Sequence, residues 1–372
     1  VRAAPRKRGR SGQAAGEGDA TVVTARPNRM RLIGLVVGLV CLAAAGGYYA
    51  YWSFAASQMR DLVTQWISDS GAAGLTVEHR AIETRGFPAL ITLDVDRPVI
   101  GGNDGGWAWS ADRVSFSVKP WDLTLYRIDM PGRQIVETEL RDGPWRFVLE
   151  TEDAFALAAL RLGGALEFAE LQLDGPVLST DRANSPLYSA KRLAAKIGLP
   201  ERPPVHHTDT LADVSMVVEA LSLPTRLDGP LGTDVSRLRF DAAMRGMLED
   251  GVPATALEDW RAKGGTVDLK WLHLAWGPVE LKSSGTLSLD ETLHPIGALK
   301  AEIAGYAEVI EAFVRAGMIG EDAGRLFKTG LSLIAKKPAD GGPPVISVPL
   351  TAQDGHLFLG PFKVAELPPL VE

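Results

Sequence analysis

The chain has 372 residues, 46% of them apolar, a formal net charge of −7 and one cysteine. That length suffices for one large domain or two ordinary ones. Eight of the 39 Lys+Arg and two of the 46 Asp+Glu lie in residues 1–52, leaving 31 against 44, a net −13, for residues 53–372; so acidic a domain has no electrostatic reason to bind nucleic acid. The same stretch holds no cysteine, so no disulfide supports it and its core must.

Residues 1–31 are rich in Arg, Ala and Gly without apolar periodicity, which predicts a disordered basic arm. LIGLVVGLVCLAAAGGYYAYW, residues 32–52, carries no charge. Twenty-one residues at 1.5 Å rise cross a hydrocarbon core of about 30 Å. Tyr48, Tyr49, Tyr51 and Trp52 crowd its far end, where amphipathic rings favour the membrane interface. Positive charge precedes the run, so the positive-inside rule puts the N-terminus in the cytoplasm and the rest across the membrane. Ala43–Ala45 offers a signal-peptidase-like site, but the apolar run continues past it. Met30-Arg31 makes as good a beginning as Val1.

Residues 53–74 set Met59, Leu62, Val63, Trp66 and Ile67 at helical spacing and end at Gly71 and Gly74, a juxtamembrane helix that continues the span and packs on the domain. Residues 75–372 form a β-rich domain, with a possible division into 75–184 and 211–372 linked by 185–210. Strand patterns cover 76–82, 86–100, 107–130, 144–150 and 165–180, whereas EDAFALAALRLGG between the last two fits helix or strand. In 185–198, Ser185, Pro186 and Gly198 supply the start and stop signals of a short helix. Residues 211–224 read as strand, 253–265 as helix and 270–290 as a hairpin whose first strand is crowded with Trp271, Leu272, Leu274, Ala275 and Trp276. Two helices over 303–317 and 321–337 precede two closing strands.

LDVDRPVI, LQLDGPVLS, LHLAWGPVEL and LFLGPFKV each run strand, x-Pro, strand. Proline cannot donate into a ladder, so each marks an edge, a bulge or a tight turn. The predicted fold is α+β, mainly β: a long twisted antiparallel sheet or half-barrel with a few packed helices, preceded by one transmembrane helix.

The motifs of serine hydrolases, P-loop proteins, zinc proteases and dinucleotide-binding folds do not occur. His206-His207 near Asp209 is the one histidine pair, and adjacent strand residues point to opposite faces, which reads as an exposed loop rather than a metal site. Asp94 and Asp96 share a strand face without anything to set their environments apart, which reads as a solvated face rather than an acid–base pair. No catalytic residue, cofactor or metal is expected.

RGFPALITLDV, DWRAKGG, LHLAWGPVELKSSGTLSLDETLHPIGALKAEIAGY and VPLTAQDGHLFLGP resemble a group of single-span envelope proteins of alphaproteobacteria, domain of unknown function 2125, over nearly all of residues 32–372. GTLSLD followed by a Pro-Gly stretch is also similar to AsmA-type envelope proteins, whose β-groove is thought to handle lipids. The resemblance implies a bacterial inner-membrane anchor and a periplasmic β-rich domain, and carries no catalytic residues. The expected function is non-enzymatic: binding or handling of lipid or another apolar ligand in envelope maintenance, with Trp271, Leu274 and Trp276 lining the site and residues 32–52 in membrane lipid. A scaffold in an inner-membrane protein complex and a hydrolase with an unrecognised site are the alternatives.

Overall fold

The computed structural model describes residues 29–371 apart from Arg141, Asn184, 225–228, 249–252, 338–340 and Pro361. The arm read as disordered lies outside these residues up to position 28. The chain divides into two units, Val1–Tyr51 and Trp52–Glu372. Helix α1 (Arg29–Asp69) begins in the first and ends in the second, followed by a 3₁₀ turn over Ser70–Ala73 that Gly74 closes at φ 77°. In the first unit Ile33, Leu35, Leu39 and Leu42 are all exposed, and the helix is long and apolar enough to cross a membrane. Exposed aliphatic side chains around a helix match a hydrocarbon solvent, not water.

The second unit is built on one 22-stranded antiparallel sheet. Its first seven crossings are each broken near the middle: β1 (Leu75–Glu78) and β2 (Ala81–Arg85), β3 (Ile91–Asp96) and β4 (Val99–Gly102), β5 (Trp107–Ala111) and β6 (Arg113–Lys119), β7 (Asp122–Asp129) and β8 (Gln134–Leu140), β9 (Gly143–Glu150) and β10 (Asp153–Leu160), β11 (Leu166–Asp174) and β12 (Val177–Thr180), β13 (Tyr188–Ser189) and β14 (Arg192–Gly198). Unbroken strands follow: β15 (Thr210–Ser222), β16 (Asp234–Arg245), β17 (Thr266–Trp276), β18 (Val279–Leu289), β19 (Pro295–Ala304), β20 (Val345–Gln353), β21 (His356–Leu359) and β22 (Phe362–Glu366). Each crossing pairs with the next, so the whole sheet is a meander. Among the described residues its first and last strands do not pair with each other, and no barrel closes.

The breaks line up. Backbone hydrogen bonds run from one to the next: Arg97 N to Asp112 O (3.1 Å), Asp112 N to Arg133 O (3.4 Å), Gly175 N to Lys191 O (2.9 Å) and Lys191 N to Glu219 O (2.9 Å). Arg97, Gly132, Gly175 and Ala220 take positive φ along this line. An extra residue in a strand bends it and raises its twist, and bends stacked in register make a crease. Two of the four x-Pro sites, Pro98 and Pro176, lie in the crease, and Pro278 falls between paired strands at the β17–β18 turn, while Pro361 lies outside the described residues.

Residues 185–198, read as a helix, are instead β13 and β14. Leu193, Ala195 and Ile197 alternate with Arg192, Ala194 and Lys196, and β14 bonds β11 on one side and β15 on the other. Local cap signals lose to two flanking strands that satisfy the same backbone. Of the stretch 185–210 proposed to link two halves, Tyr188–Ser189 and Arg192–Gly198 thus belong to the sheet, and 199–209 form the loop that leads into β15. EDAFALAALRLGG resolves as strand β10.

Among the described residues three further helices occur in the unit: α2 (Pro253–Ala262), α3 (Tyr306–Arg315) and α4 (Glu321–Ile334). The core has three centres: Trp52, Ala56, Ile91 and Val118 under the end of α1; Trp260, Leu289 and Leu293 under α2; and Leu299, Ala301 and Leu350 between β19 and β20.

Candidate functional site

Antiparallel register puts cross-strand partners on one face. Leu173, Leu193, Val218, Leu238, Leu274, Leu281, Ile303 and Ile346 form one such row, partner to partner, from β11 to β20. A parallel row starts at Leu93 and runs through Phe116, Ile128, Ala156 and Leu171 to Met216, Phe240 and Leu272. From β3 to β20 this is about eleven inter-strand steps, or ~53 Å at roughly 4.8 Å each. Phe116, Ile128, Leu171, Met216, Phe240 and Leu272 are only half-buried, so this apolar face is not sealed.

The opposite face is charged and self-paired: Arg85 with Asp94, Arg127 with Asp129, Arg192 with Asp174, Arg239 with Glu219, Lys300 with Glu302. The alternation therefore holds across the sheet, with grease on one side and ion pairs on the other.

Within the second unit, the last turns of α1 cover the start of the apolar face. Trp52 and Ala56 are buried against Ile91 and Val118, and Met59 packs beside them. One and two turns further on, Val63 and Ile67 still face the sheet but remain half-exposed. The reason is a gap beneath them. Leu62, Val63, Trp66 and Ile67 roof a 480 Å³ chamber whose floor is Val77, Val95, Ile100, Trp109, Phe116 and Ile128, apolar almost throughout. It spans the crease, since Val95 lies on one side of it and Ile100 on the other. Its size is that of small-molecule sites, which are mostly apolar concavities of about 300–1,000 Å³.

Of the three residues expected to line a site, Leu274 and Trp276 lie on the apolar face, cross-strand from Leu281 and Val279. Trp271 does not. Pairing jumps from Leu269 to Leu272, so Lys270 and Trp271 form a bulge. Both turn to the charged face: Lys270 Nζ reaches Asp213 at 2.8 Å and Asp241 at 3.0 Å, and Trp271 lies cross-strand from Asp241. There Trp271 lines an open hollow with Arg239, Lys282 and Lys300. The crowding of apolar residues in this strand is thus a bulge between two alternating segments. Trp276 is half-buried and donates its indole N–H to Gly232 O at 2.9 Å.

Asp94 is buried and held by Arg85, whose Nη2 lies 3.1 Å away, and by the Ser115 hydroxyl at 2.5 Å. Burial works to raise its carboxyl, but the hydrogen bonds from Arg85 and Ser115 outweigh it and hold the group below the usual range. Such a carboxylate is fixed in its ionised form and is a fastener between β2, β3 and β6. Asp209 is likewise occupied: its Oδ2 accepts the backbone N–H groups of Val205 and His206, both at 2.9 Å, which lowers its carboxyl. It closes the loop that carries the histidine pair.

The chamber was not foreseen as a site, although its roof was. The helical spacing of Met59, Leu62, Val63, Trp66 and Ile67 announces an apolar stripe, but only the crease, a long-range feature, leaves a hollow below it.

The profile described as an uncharacterized protein conserved in bacteria (DUF2125) matches residues 52–368. No curated protein matches the sequence. The match covers the whole sheet, the roof of the chamber and every helix after the apolar segment, and the chain belongs to the DUF2125 family of bacterial proteins.

Proposed function

We propose that this is a single-pass inner-membrane protein whose C-terminal domain stands in the periplasm and binds an apolar ligand, most simply a membrane lipid acyl chain, without catalysing a reaction. The observation that carries the reading is the 480 Å³ chamber between α1 and strands β1 and β3–β7, lined almost wholly by apolar side chains and continuous with a half-buried apolar face. An acyl chain gains roughly 25 cal/mol per Å² of surface removed from water, so no polar machinery is needed to hold it. The face is far longer than one leaflet of a hydrocarbon core about 30 Å thick, which suits handling along a path as well as storage at a point. The basic residues before the span support this orientation. The likeness to alphaproteobacterial envelope proteins, and the shorter one to AsmA-type proteins, agree with this role.

Native mass spectrometry of the full-length protein after release from detergent tests it. The wild type should retain at least one lipid that Ile100→Trp, which fills the chamber floor, does not. Equal lipid retention by both would defeat the reading.

A scaffold role in a membrane complex is favoured by one other observation. On α4, Leu326 and Leu333 are 73% and 83% exposed, an apolar stripe suited to a protein partner. Crosslinking that captures a stoichiometric protein partner on α4, with no lipid retained, selects this alternative.

A further inference from the structure

In a meander, alternate turns lie on the same edge of the sheet. The β2–β3, β6–β7 and β10–β11 turns share one edge, and their tips carry large apolar side chains. Phe87 and Leu90 are exposed on the first, Trp121 is 67% exposed on the second, and Leu162 is 100% exposed on the third. The three turns that interleave with these on the opposite edge carry Asn103 and Asp104, Asp142, and Asp181 and Arg182 at their tips, exposed and polar, with Trp107 and Leu140 on the strands beside them and α4 in the later β19–β20 connection. Turns normally carry Gly, Asn, Asp, Ser and Pro, and an indole or Leu held at a tip has nothing in its own fold to pack on.

The first apolar tip is tied to Trp52. The Trp52 indole N–H donates to Leu90 O at 2.7 Å, and its ring meets Phe87 edge-on with centroids 5.6 Å apart. Trp52 directly follows Tyr51 in the chain, at the aromatic end of the apolar segment. Chain continuity alone therefore brings this tip to the level at which a span would leave the bilayer. The next two tips follow at two-strand intervals, about 10 Å each. Arg60 and Arg161 stand behind the first and third tips, bonded to the Thr84 hydroxyl and to the Leu166 and Leu199 carbonyls, while Arg85 is paired with Asp94 and Lys119 lies cross-strand from Asp122. Amphipathic rings and cations at this depth suit a lipid interface, with rings among the upper acyl chains and cations among the headgroups.

We infer that this edge docks on the bilayer that holds the anchor, with Trp121 and Leu162 inserted at the interface. The partner is the lipid surface itself. For the lipid-binding reading above, and resting on it, the edge supplies an entrance: a lipid would pass from the membrane beside Trp52 to the chamber under Val63 and Ile67.

The single cysteine makes the test direct. In full-length protein carrying Cys41→Ser, the variants Trp121→Cys and Leu162→Cys are each labelled with the fluorophore NBD and reconstituted in vesicles of phosphatidylethanolamine and phosphatidylglycerol. Asp104→Cys, on the opposite edge, serves as reference. Labels at 121 and 162 should be blue-shifted, quenched by doxyl-labelled lipid and several-fold less accessible to iodide than the reference label. Iodide reaching all three alike overturns the proposal. Where a labelled variant misfolds, bromolipid quenching of the unlabelled wild type against Trp121→Phe decides: quenching should fall with the substitution, and unchanged quenching counts against docking. Buried labels on a protein that retains no lipid would sink the lipid reading and leave the docking intact.

Discussion

Trp52 donates its indole N–H to the carbonyl oxygen of Leu90, 2.7 Å away, and lies in one apolar cluster with Ile91 and Val118. The contact fastens the helix to a turn 38 residues later in the chain. Trp52→Ala removes a buried indole and should cost about 3–5 kcal/mol. Trp52→Phe keeps most of the packing, loses the hydrogen bond and should cost about 1 kcal/mol. Thermal unfolding of the full-length protein in detergent reads both, and an Ala variant that melts with the wild type would show that the helix is not fastened there.

Asp94 gives the domain an acid sensitivity. Its folded pKa is held below the unfolded value, so the carboxylate stabilises the fold fully above the ordinary Asp range near ~3.9 and loses that contribution as pH falls through the depressed folded value. Asp94→Ala leaves the Ser115 hydroxyl and Arg85 without this partner and should cost about 1–3 kcal/mol at neutral pH. The difference in melting temperature between wild type and variant should shrink in strongly acidic buffer. A difference that stays constant down to pH 2 would refute the assignment.

The Trp260 ring lies flat over a glycine. A Cβ at Gly265 would stand 2.2 Å from Trp260 Cε2, while the indole N–H donates to Arg245 O at 2.8 Å. Gly265→Ala therefore forces the ring out of a fully packed site and should cost about 1–3 kcal/mol. Gly330, on the exposed side of α4, meets nothing within 4 Å, and Gly330→Ala should stabilise by about 0.5–1 kcal/mol through helix propensity alone. Chemical unfolding curves with unchanged slopes check the opposite signs, and the same sign for both would break the argument.

Much of the sheet is written in local pattern. Alternation in Ile91, Leu93 and Val95, or in Val114, Phe116 and Val118, needs only one wet and one dry face, and these segments are strands where the period says so. What alternation does not carry is where strands bend. Pro98 and Pro278 sit in like phrases, yet the first lies in the crease and the second in a turn, because the outcome depends on whether the neighbouring strands are broken at the same level. The chamber shares that origin. Its roof is periodic in sequence, but its floor joins β1, β3, β4, β5, β6 and β7, brought together only by the meander. The strand at 192–198 shows the converse, since a sequence with good helix ends is drawn into the sheet by partners on both sides.

The bulge in β17 makes Leu274 and Trp271 a matched pair for the last test. Three residues apart on one strand, they take opposite faces, and the bulge decides which: Leu274 faces Leu238 and Leu281, while Trp271 lies cross-strand from Asp241 among lysines. A charge placed at Leu274 has no partner on the apolar face, so Leu274→Asp should destabilise by about 2 kcal/mol or more and weaken binding of a fluorescent fatty acid. Trp271→Ser removes a ring from a solvated hollow, so stability should move by no more than about 0.5 kcal/mol and fatty-acid binding should be unchanged. Without the bulge the parity of the strand would reverse: Trp271 would share the face of Leu269, and Leu274 would point to the ion pairs. Fatty-acid titrations on the two variants therefore read the register directly, and a loss at Trp271 with none at Leu274 would place the apolar face on the wrong side of the sheet.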